Sequence, residues 1–578
     1  MVSKERSGNK PWLQFYDEGV PPSIDYPLIP LDRLLEESAT KHPEHPAIIF
    51  GGSVGSKVMD SQLTYRELND AVNRFAAAVQ KLGIKKGDRV AMFMPNCPQL
   101  VIAYYGAMRA GGIAVPCNFL YTAKEIEKQL LDSEAEIIVV LSSFYELVNS
   151  VRENTKLRHI VVANVKEYFP PVLKLMFTLL KEKKGGHAVK IKNKNDIWFQ
   201  SLLEDAEPSP EQIEAGPNDT ACLIYTGGTT GIPKGAELTH RNVLSNAIAG
   251  GYWSHSREAK EVSIGALPFF HSYGMTAVMN MTIATAGTMV LIVDPRDVLH
   301  IMGSINKHKA TLYSAVPSSY TRINTHPDVG KFDLSSVRVC LSGAAPLPKQ
   351  VQETFQSITG GKLVEAFGMT EASPATHVNP LDRNKIGTIG TPWPDTDVRI
   401  VDVDTGEEEL PRGEIGEMIM HGPQVMKGYW RMPTETENML REHSSIGPGK
   451  WLHSGDIALM DEEGYFRIVD RKKDMIICGG YNVYPRNIEE VLFQHHAVKE
   501  AGVVGMTDEY RGETVIAFVV LNDGITATEE EIIDFCAEHL AKYKVPSRIV
   551  FRTELPMTAV GKVLRRELVK ALSEDNLD

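Results

Sequence analysis

Over its first 160 residues the chain alternates two hydrophobic periods, and this alternation constrains the fold more than any other feature. A helical period runs through LTYRELNDAVNRFAAAVQKLG, opening at Thr64 with Glu67 three residues on, the pairing of a capping box. GDRVAMFMPNC then reads as a strand, PQLVIAYYGAMRAGG as a helix and IAVPC as a second strand. The helix TAKEIEKQLLDSEA and the strand EIIVVL follow. Strands alternating with helices imply parallel strands joined by helical crossovers. Buried helices with short apolar connectors are the other reading, and the Val- and Ile-rich runs suit it less well.

The pattern breaks between Lys166 and Trp198, where Pro170 and Pro171 precede VLKLMFTLLKEKKGG and KIKNKND. A helix over 169–184 with apolar and lysine-bearing faces can lie in a membrane interface. The plainer reading packs its apolar face on the N-terminal domain and leaves the lysines solvated; the breadth of that face favours it. EDAEPSPEQIEAGPNDT, from Glu204 to Thr220, reads as a surface connection, after which the α/β alternation resumes. Ala277 to Val293 reads as a buried helix followed by a strand, and residues 387–430 as a small β subdomain of distorted-barrel type. From 474 onward AGVVGM, TVIAFVVL and SRIVF read as strands, NIEEVLFQH and EEEIIDFCAEHLA as helices. The expected fold class is α/β. A large N-terminal domain of parallel α/β sheets with a β-barrel subdomain spans 1–470, a mobile α+β domain spans 474–578, and the hinge falls near 470–473.

Composition narrows the function. The 61 Lys and Arg against 74 Asp and Glu leave a net charge of −13, which argues against nucleic acid as the main partner. The six cysteines are scattered without a CxxC pair, so neither a structural zinc nor a disulfide framework is expected. The N-terminus MVSKERSGNKPW lacks the apolar core of a secretory signal. The longest mostly apolar stretch is interrupted by Asn280, Thr282, Thr285 and Gly287, short of the about 20 apolar residues of a membrane span. The expectation is a cytoplasmic protein, peripheral on the inner face of the membrane if the 169–184 helix takes that role. Oligomeric state is not legible.

The most specific segment is Tyr225-Thr226-Gly227-Gly228-Thr229-Thr230-Gly231-Ile232-Pro233-Lys234-Gly235. Small residues let backbone N–H groups and hydroxyls approach a polyphosphate, and Lys234 adds a neutralising charge. It is not a Walker A loop, because Gly231 is not followed by Lys-Ser or Lys-Thr. The string resembles the phosphate-binding signature of the adenylate-forming (AMP-binding) superfamily, which includes acyl-CoA synthetases, firefly luciferase and peptide-synthetase adenylation domains. The resemblance extends over roughly residues 30 to 570, with further motifs in family order: LPFFHSYGMT, GAAPL, EAFGMTE, HSGD, DRKKD and TAVGKVLRREL.

The resemblance implies the roles of individual residues. Thr226, Gly227, Gly228, Thr229, Thr230, Gly231 and Lys234 would hold the phosphates of ATP. Gly343, Ala344, Glu365, Ala366, Phe367, Gly368 and Thr370 would hold the adenine side, with Phe367 in place of the Tyr of many relatives. Asp456 and Arg471 would take the ribose. Glu371, with Thr226 or Thr370, would hold Mg²⁺ against phosphate oxygens; a first-turn helical Glu is its plain alternative. His271 would sit beside the reacting carbonyl and Lys562 would bridge the substrate carboxylate and the α-phosphate. Lys473 would be the hinge, and Gly479, Gly480 and Tyr481 would line the coenzyme A path. Phe270, Gly274, Met275 and Val278 would wall the acyl pocket, so that Gly274→Trp would shorten the preferred acid.

The chain is similar to bacterial long-chain fatty acid:CoA ligases in LPFFHSYGMTAVMN, KLVEAFGMTEASP, GPQVMKGYW and DRKKDMIICGGYNVYPRNIEE. This implies activation of a fatty acid to acyl-AMP with release of pyrophosphate, then transfer to coenzyme A. The rival is an adenylating enzyme of other chain length or acceptor: medium-chain, 4-coumarate-like or acyl-AMP ligase. A scaffold that only binds nucleotide is a third reading, and intact Glu371, Asp456, Arg471 and Lys562 speak against it.

Overall fold

The capping box forms as the sequence implies: Thr64 caps the helix Tyr65–Lys81, accepting from the Glu67 N–H while the Glu67 carboxylate accepts from Thr64. The computed structural model describes residues 10–575 apart from 56, 227–232, 444, 479–480, 509–511 and 559–562. The chain divides into two units, one of residues 13–396 and 421–440, the other of 397–420, 441 onward and the stretch up to Trp12.

The larger unit is built on an eight-stranded sheet. Its order is Gly428–Tyr429, Lys234–Thr239, Thr220–Thr226, Ile113–Pro116, Arg89–Phe93, Ile137–Leu141, His159–Ala163 and Ile197–Trp198. The pairs on either side of Arg89–Phe93 are parallel, as the alternation demands, with Pro98–Arg109 and Ala123–Ser133 as crossover helices. Eleven of the twelve residues of Pro98–Arg109 are buried, which explains its lack of a polar face. A second sheet runs Val262–Gly265, Thr288–Leu291, Pro46–Val54, Lys57–Thr64, and a third Val339–Ser342, Lys362–Gly368, Ala375–Val378, Thr391–Pro392. Bridges at Leu312 join them over a core containing Ile264, Val290, Tyr313, Tyr320 and Phe355.

The smaller unit holds two five-stranded sheets. One is curled and runs Asp397–Val401, Gly416–His421, Gly447–Met460, Leu440–His443, with Phe466–Arg471 beside Gly447–Met460. The other contains Tyr481–Val483, Ile476–Cys478, Gly512–Leu521, Val498–Asp508 and Arg548–Phe551. The helices Pro485–Leu492, Glu529–His539 and Arg565–Asp575 accompany it. The strands and helices expected after 474 are thus present. All six cysteines are buried free thiols, and among the described residues no helix is long and apolar enough to cross a membrane.

Candidate active site

Thr220–Thr226 and Lys234–Thr239 pair antiparallel with Thr226 opposite Lys234, so the Gly/Thr-rich run lies between two fixed strand ends. Gly227, Gly228, Thr229, Thr230 and Gly231 themselves fall outside the described residues. The Lys234 ammonium pairs with Glu435 and lies 5.4 Å from the centroid of the Tyr429 ring. Tyr429 in turn donates its hydroxyl to Glu371 Oε1 at 2.7 Å, and the Met426 N–H donates to the Glu371 carbonyl at 2.8 Å. Burial, and then the Glu371 carboxylate, raise the Tyr429 phenol, so it stays protonated as a donor. The phosphate-strand lysine and the candidate metal ligand are therefore linked through an aromatic that the sequence reading quoted in GPQVMKGYW but gave no role.

Three motifs far apart in sequence meet beside this link. Half-buried His271 caps the short helix Ser272–Gly274, its Nδ1 accepting the Tyr273 N–H at 3.2 Å, which assigns the proton of the neutral ring to Nε2. The hydroxyls of Ser272 and Thr370 lie 3.3 Å apart, joining the His271 turn to the turn that carries Glu371. Tyr273 donates to the Leu341 carbonyl at 2.7 Å, next to Gly343 and to Ala344, whose φ of 72° is the left-handed conformation. Glu365 is buried and its carboxylate accepts from the Leu347 N–H at 3.2 Å, so it shapes the Gly343–Leu347 turn. Ala366, Phe367 and Gly368 continue the same strand, half-buried, with the Phe367 ring edge-on to His377 at 6.1 Å.

The acyl-pocket segment departs from expectation. Ser272–Gly274 runs into a π-helix, Met275–Asn280, before Met281–Ala284. Asn280 Nδ2 donates to the Met275 carbonyl at 3.0 Å, and Tyr105 donates to Asn280 Oδ1 at 2.6 Å, so side chains hold the wide turn open. Met275 and Val278 are fully buried, Ala277 is part-exposed, and Phe270 is half-buried with its edge toward Phe119 at 5.8 Å. Gly274 packs on backbone: an added Cβ would meet the Pro268 oxygen at 2.4 Å. Gly274→Trp would displace the chain rather than fill a pocket, so a test of chain length belongs at Ala277.

In the smaller unit Asp456 and Arg471 face each other across paired strands, Asp456 Oδ1 3.0 Å from Arg471 Nε. Asp456 Oδ2 is buried with no hydrogen-bond partner among the described residues, and so is free to accept from a donor. Lys473 is exposed in the turn Lys472–Asp474, and Tyr481 stacks on Tyr543 at 4.6 Å. Gly479, Gly480 and Lys562 lie outside the described residues. Arg565, just beyond Lys562, binds Asp474 at 2.9 Å and Glu489 at 2.8 Å.

Sequence reasoning also missed Glu417. Its buried carboxylate accepts from the Gly455 N–H at 3.3 Å and from Lys472 at 3.0 Å, and lies 3.4 Å from His453 Nδ1. Burial alone would raise it, but the adjoining His453 ring and the Lys472 ammonium outweigh burial and hold it down to about 2. Glu417 thus supports both the strand that carries Asp456 and the residue before Lys473. A depressed carboxylate adds stability above its ordinary value and loses it as pH falls through the folded value. Glu417→Gln should therefore cost about 2–3 kcal/mol near neutral pH. In chemical unfolding followed against pH, that gap should close as pH falls from 4.5 toward about 2; a gap that does not change with pH would refute this role.

With this geometry in place, the chain matches two families. It fits the AMP-binding enzyme family over residues 35–430 and the AMP-binding enzyme C-terminal domain over 487–562. It is 44% identical over 573 residues to a long-chain-fatty-acid–CoA ligase of Bacillus subtilis, covering 98% of this chain and 99% of that one. It is 38% identical over 565 residues to the long-chain-fatty-acid–CoA ligase of Salmonella typhimurium, covering 97% and 98%. Among solved structures, ATP-bound MatB from Rhodopseudomonas palustris superposes with a TM-score of 0.79 at 29% identity, covering 94% of this chain and 99% of that one.

Proposed function

The chain belongs to the AMP-binding enzyme family, and on that premise we propose that it activates a long-chain fatty acid as acyl-AMP and passes the acyl group to coenzyme A. Its activity is that of an acid–thiol ligase, a long-chain-fatty-acid–CoA ligase that binds ATP. The observation that carries this reading is the 44% identity over 573 residues, spread across both units.

In the first step the carboxylate attacks the α-phosphorus in line and pyrophosphate leaves; the protein's task is positioning and charge neutralisation. Lys234, Thr226 and the Gly227–Gly231 run receive the phosphates, Phe367 offers its face to adenine, and the unpartnered Asp456 oxygen takes a ribose hydroxyl. Lys562 bridges the carboxylate and the α-phosphate. The Glu371 carboxylate, oriented by Tyr429, and the Thr226 hydroxyl fit Mg²⁺, which would neutralise phosphate charge. Among the described residues no group of three or more His, Cys, Asp or Glu is placed to hold a metal. The donor set therefore suits a cation carried mainly by phosphate and water.

In the second step the coenzyme A thiolate attacks the acyl carbonyl and AMP leaves. Rotation of the C-terminal residues about Lys473 withdraws Lys562 and brings in Gly479, Gly480 and Tyr481, so that one enzyme serves two chemistries. His271 presents Nε2–H beside the carbonyl.

A panel of C2 to C20 acids with one aryl acid, assayed for AMP release with and without coenzyme A, tests the reading. Release should need both acid and coenzyme A and should rise about fourfold per methylene until the pocket ends. AMP release independent of coenzyme A, or preference for the aryl acid, would favour the rival enzymes. Ala277→Trp should move the optimum to shorter acids while leaving the rate on short acids near wild type. An unchanged length profile would place the π-helix outside the pocket.

A further inference from the structure

The Pro171–Leu180 helix turns an apolar face to solvent and buries none of its residues. Val172, Leu175, Leu179 and Leu180 are 63%, 60%, 73% and 67% exposed, and at helical spacing Met176 falls on the same stripe. The opposite side does the packing. Leu173 lies against Gly52, and Phe177 sits edge-on to Phe169 at 5.6 Å and to His187 at 5.3 Å. Two ion pairs clamp the ends, Lys174 with Glu167 at 2.7 Å and Lys166 with Glu182 at 2.6 Å. The helix is thus fixed in orientation with its leucines outward, the opposite of the packed arrangement that the width of its apolar face suggests.

Charge identifies what covers it. Lys181, Lys183, Lys184, Lys190 and Lys194 follow, exposed and without a carboxylate partner among the described residues. Between Lys166 and Lys194 the acidic residues are Glu167 and Glu182, both already committed to lysines. In a chain of net charge −13 this is a local basic fringe on an apolar stripe. A two-fold contact with a second copy would bury the leucines but set this lysine fringe against its own like charge, whereas an anionic bilayer takes both. Packed side chains also connect this helix to the acyl segment. His187 meets Ser142 at 2.9 Å, Phe144 of that same turn meets Phe119 at 6.3 Å, and Phe119 meets Phe270 at 5.8 Å.

We propose that the Pro171–Leu180 helix docks the enzyme on an anionic lipid bilayer, its leucines entering the headgroup–acyl boundary and the lysines that follow it meeting lipid phosphates. The full-length protein is sedimented, without substrates, with phosphatidylcholine vesicles that contain or lack phosphatidylglycerol, at low and high salt. Binding is expected on the anionic vesicles alone and should fall steeply with salt. Leu175→Ser with Leu179→Ser, and separately Lys183→Glu with Lys184→Glu, should each lower partitioning about tenfold or more. Both variants should keep wild-type AMP release with a short, water-soluble acid, which reports folding and separates this proposal from the catalytic reading. Should one pair fail to fold, the other decides. Four results would overturn the proposal: no binding at low salt, equal binding to phosphatidylcholine alone, undiminished binding by a folded variant, or self-association that the leucine substitutions abolish.

Discussion

Lys562→Ala is expected to slow acyl-AMP formation by about 10²–10³ while leaving thioester formation from preformed acyl-AMP within a few-fold of wild type. The first step concentrates negative charge between the attacking carboxylate and the α-phosphate, and a fixed ammonium there acts more strongly in the transition state than in the ground state. The second step displaces AMP from a carbonyl and no longer needs that clamp. On either side of residues 559–562, Met557 and Val563 form an antiparallel bridge, and the Leu564 N–H donates to the Pro556 carbonyl at 2.8 Å. Arg565, bound to Asp474 and Glu489, fastens the helix that follows. Pyrophosphate exchange reports the first step, and acyl-AMP supplied with coenzyme A reports the second. Equal losses in both would remove Lys562 from the phosphoryl step.

What the sequence made legible is what local physics decides. Thr64 and Glu67 cap their helix with atoms three residues apart, and the Val/Ile runs become buried parallel strands, because neither depends on a distant partner. The π-helix was not legible, since it is shaped by Tyr105 reaching Asn280 across 175 residues of chain. Gly274 read as a small pocket wall, but only the approach of the Leu267–Pro268 backbone reveals what its missing Cβ is for. Among site residues, Glu371 and Asp456 stood out through their motifs. Tyr429 has no reading of its own within GPQVMKGYW, and only strand pairing sets it between Lys234 and Glu371. Glu417 looked like one residue of a β-type run, and its meaning comes from His453, Gly455 and Lys472 converging on it. The Pro171–Leu180 segment showed its amphipathic content in the sequence, whereas which side meets solvent depends on where Leu173 and Phe177 find partners.

Lys473→Pro should separate the half-reactions in the opposite sense, with pyrophosphate exchange retained and transfer to coenzyme A reduced by about 10² or more. The proposal of a pivot at this residue draws support from its two neighbours. Lys472 is tied to Glu417 in the strand Gly416–His421, and Asp474 is tied to Arg565 of the C-terminal helix, so both neighbours of Lys473 are held by different elements. A rotation that keeps both ion pairs has to pass through the backbone torsions between them. Proline fixes φ near about −65° and disfavours the helical conformation of the residue before it, which removes that freedom. The Lys473 side chain is exposed, so Lys473→Ala keeps the torsional freedom and should leave both half-reactions within a few-fold of wild type. The pair of variants distinguishes a backbone pivot from a working ammonium. If Lys473→Pro transfers at the wild-type rate, the pivot lies elsewhere. Loss of transfer in Lys473→Ala as well would instead make the charge, and not the torsion, the functional element.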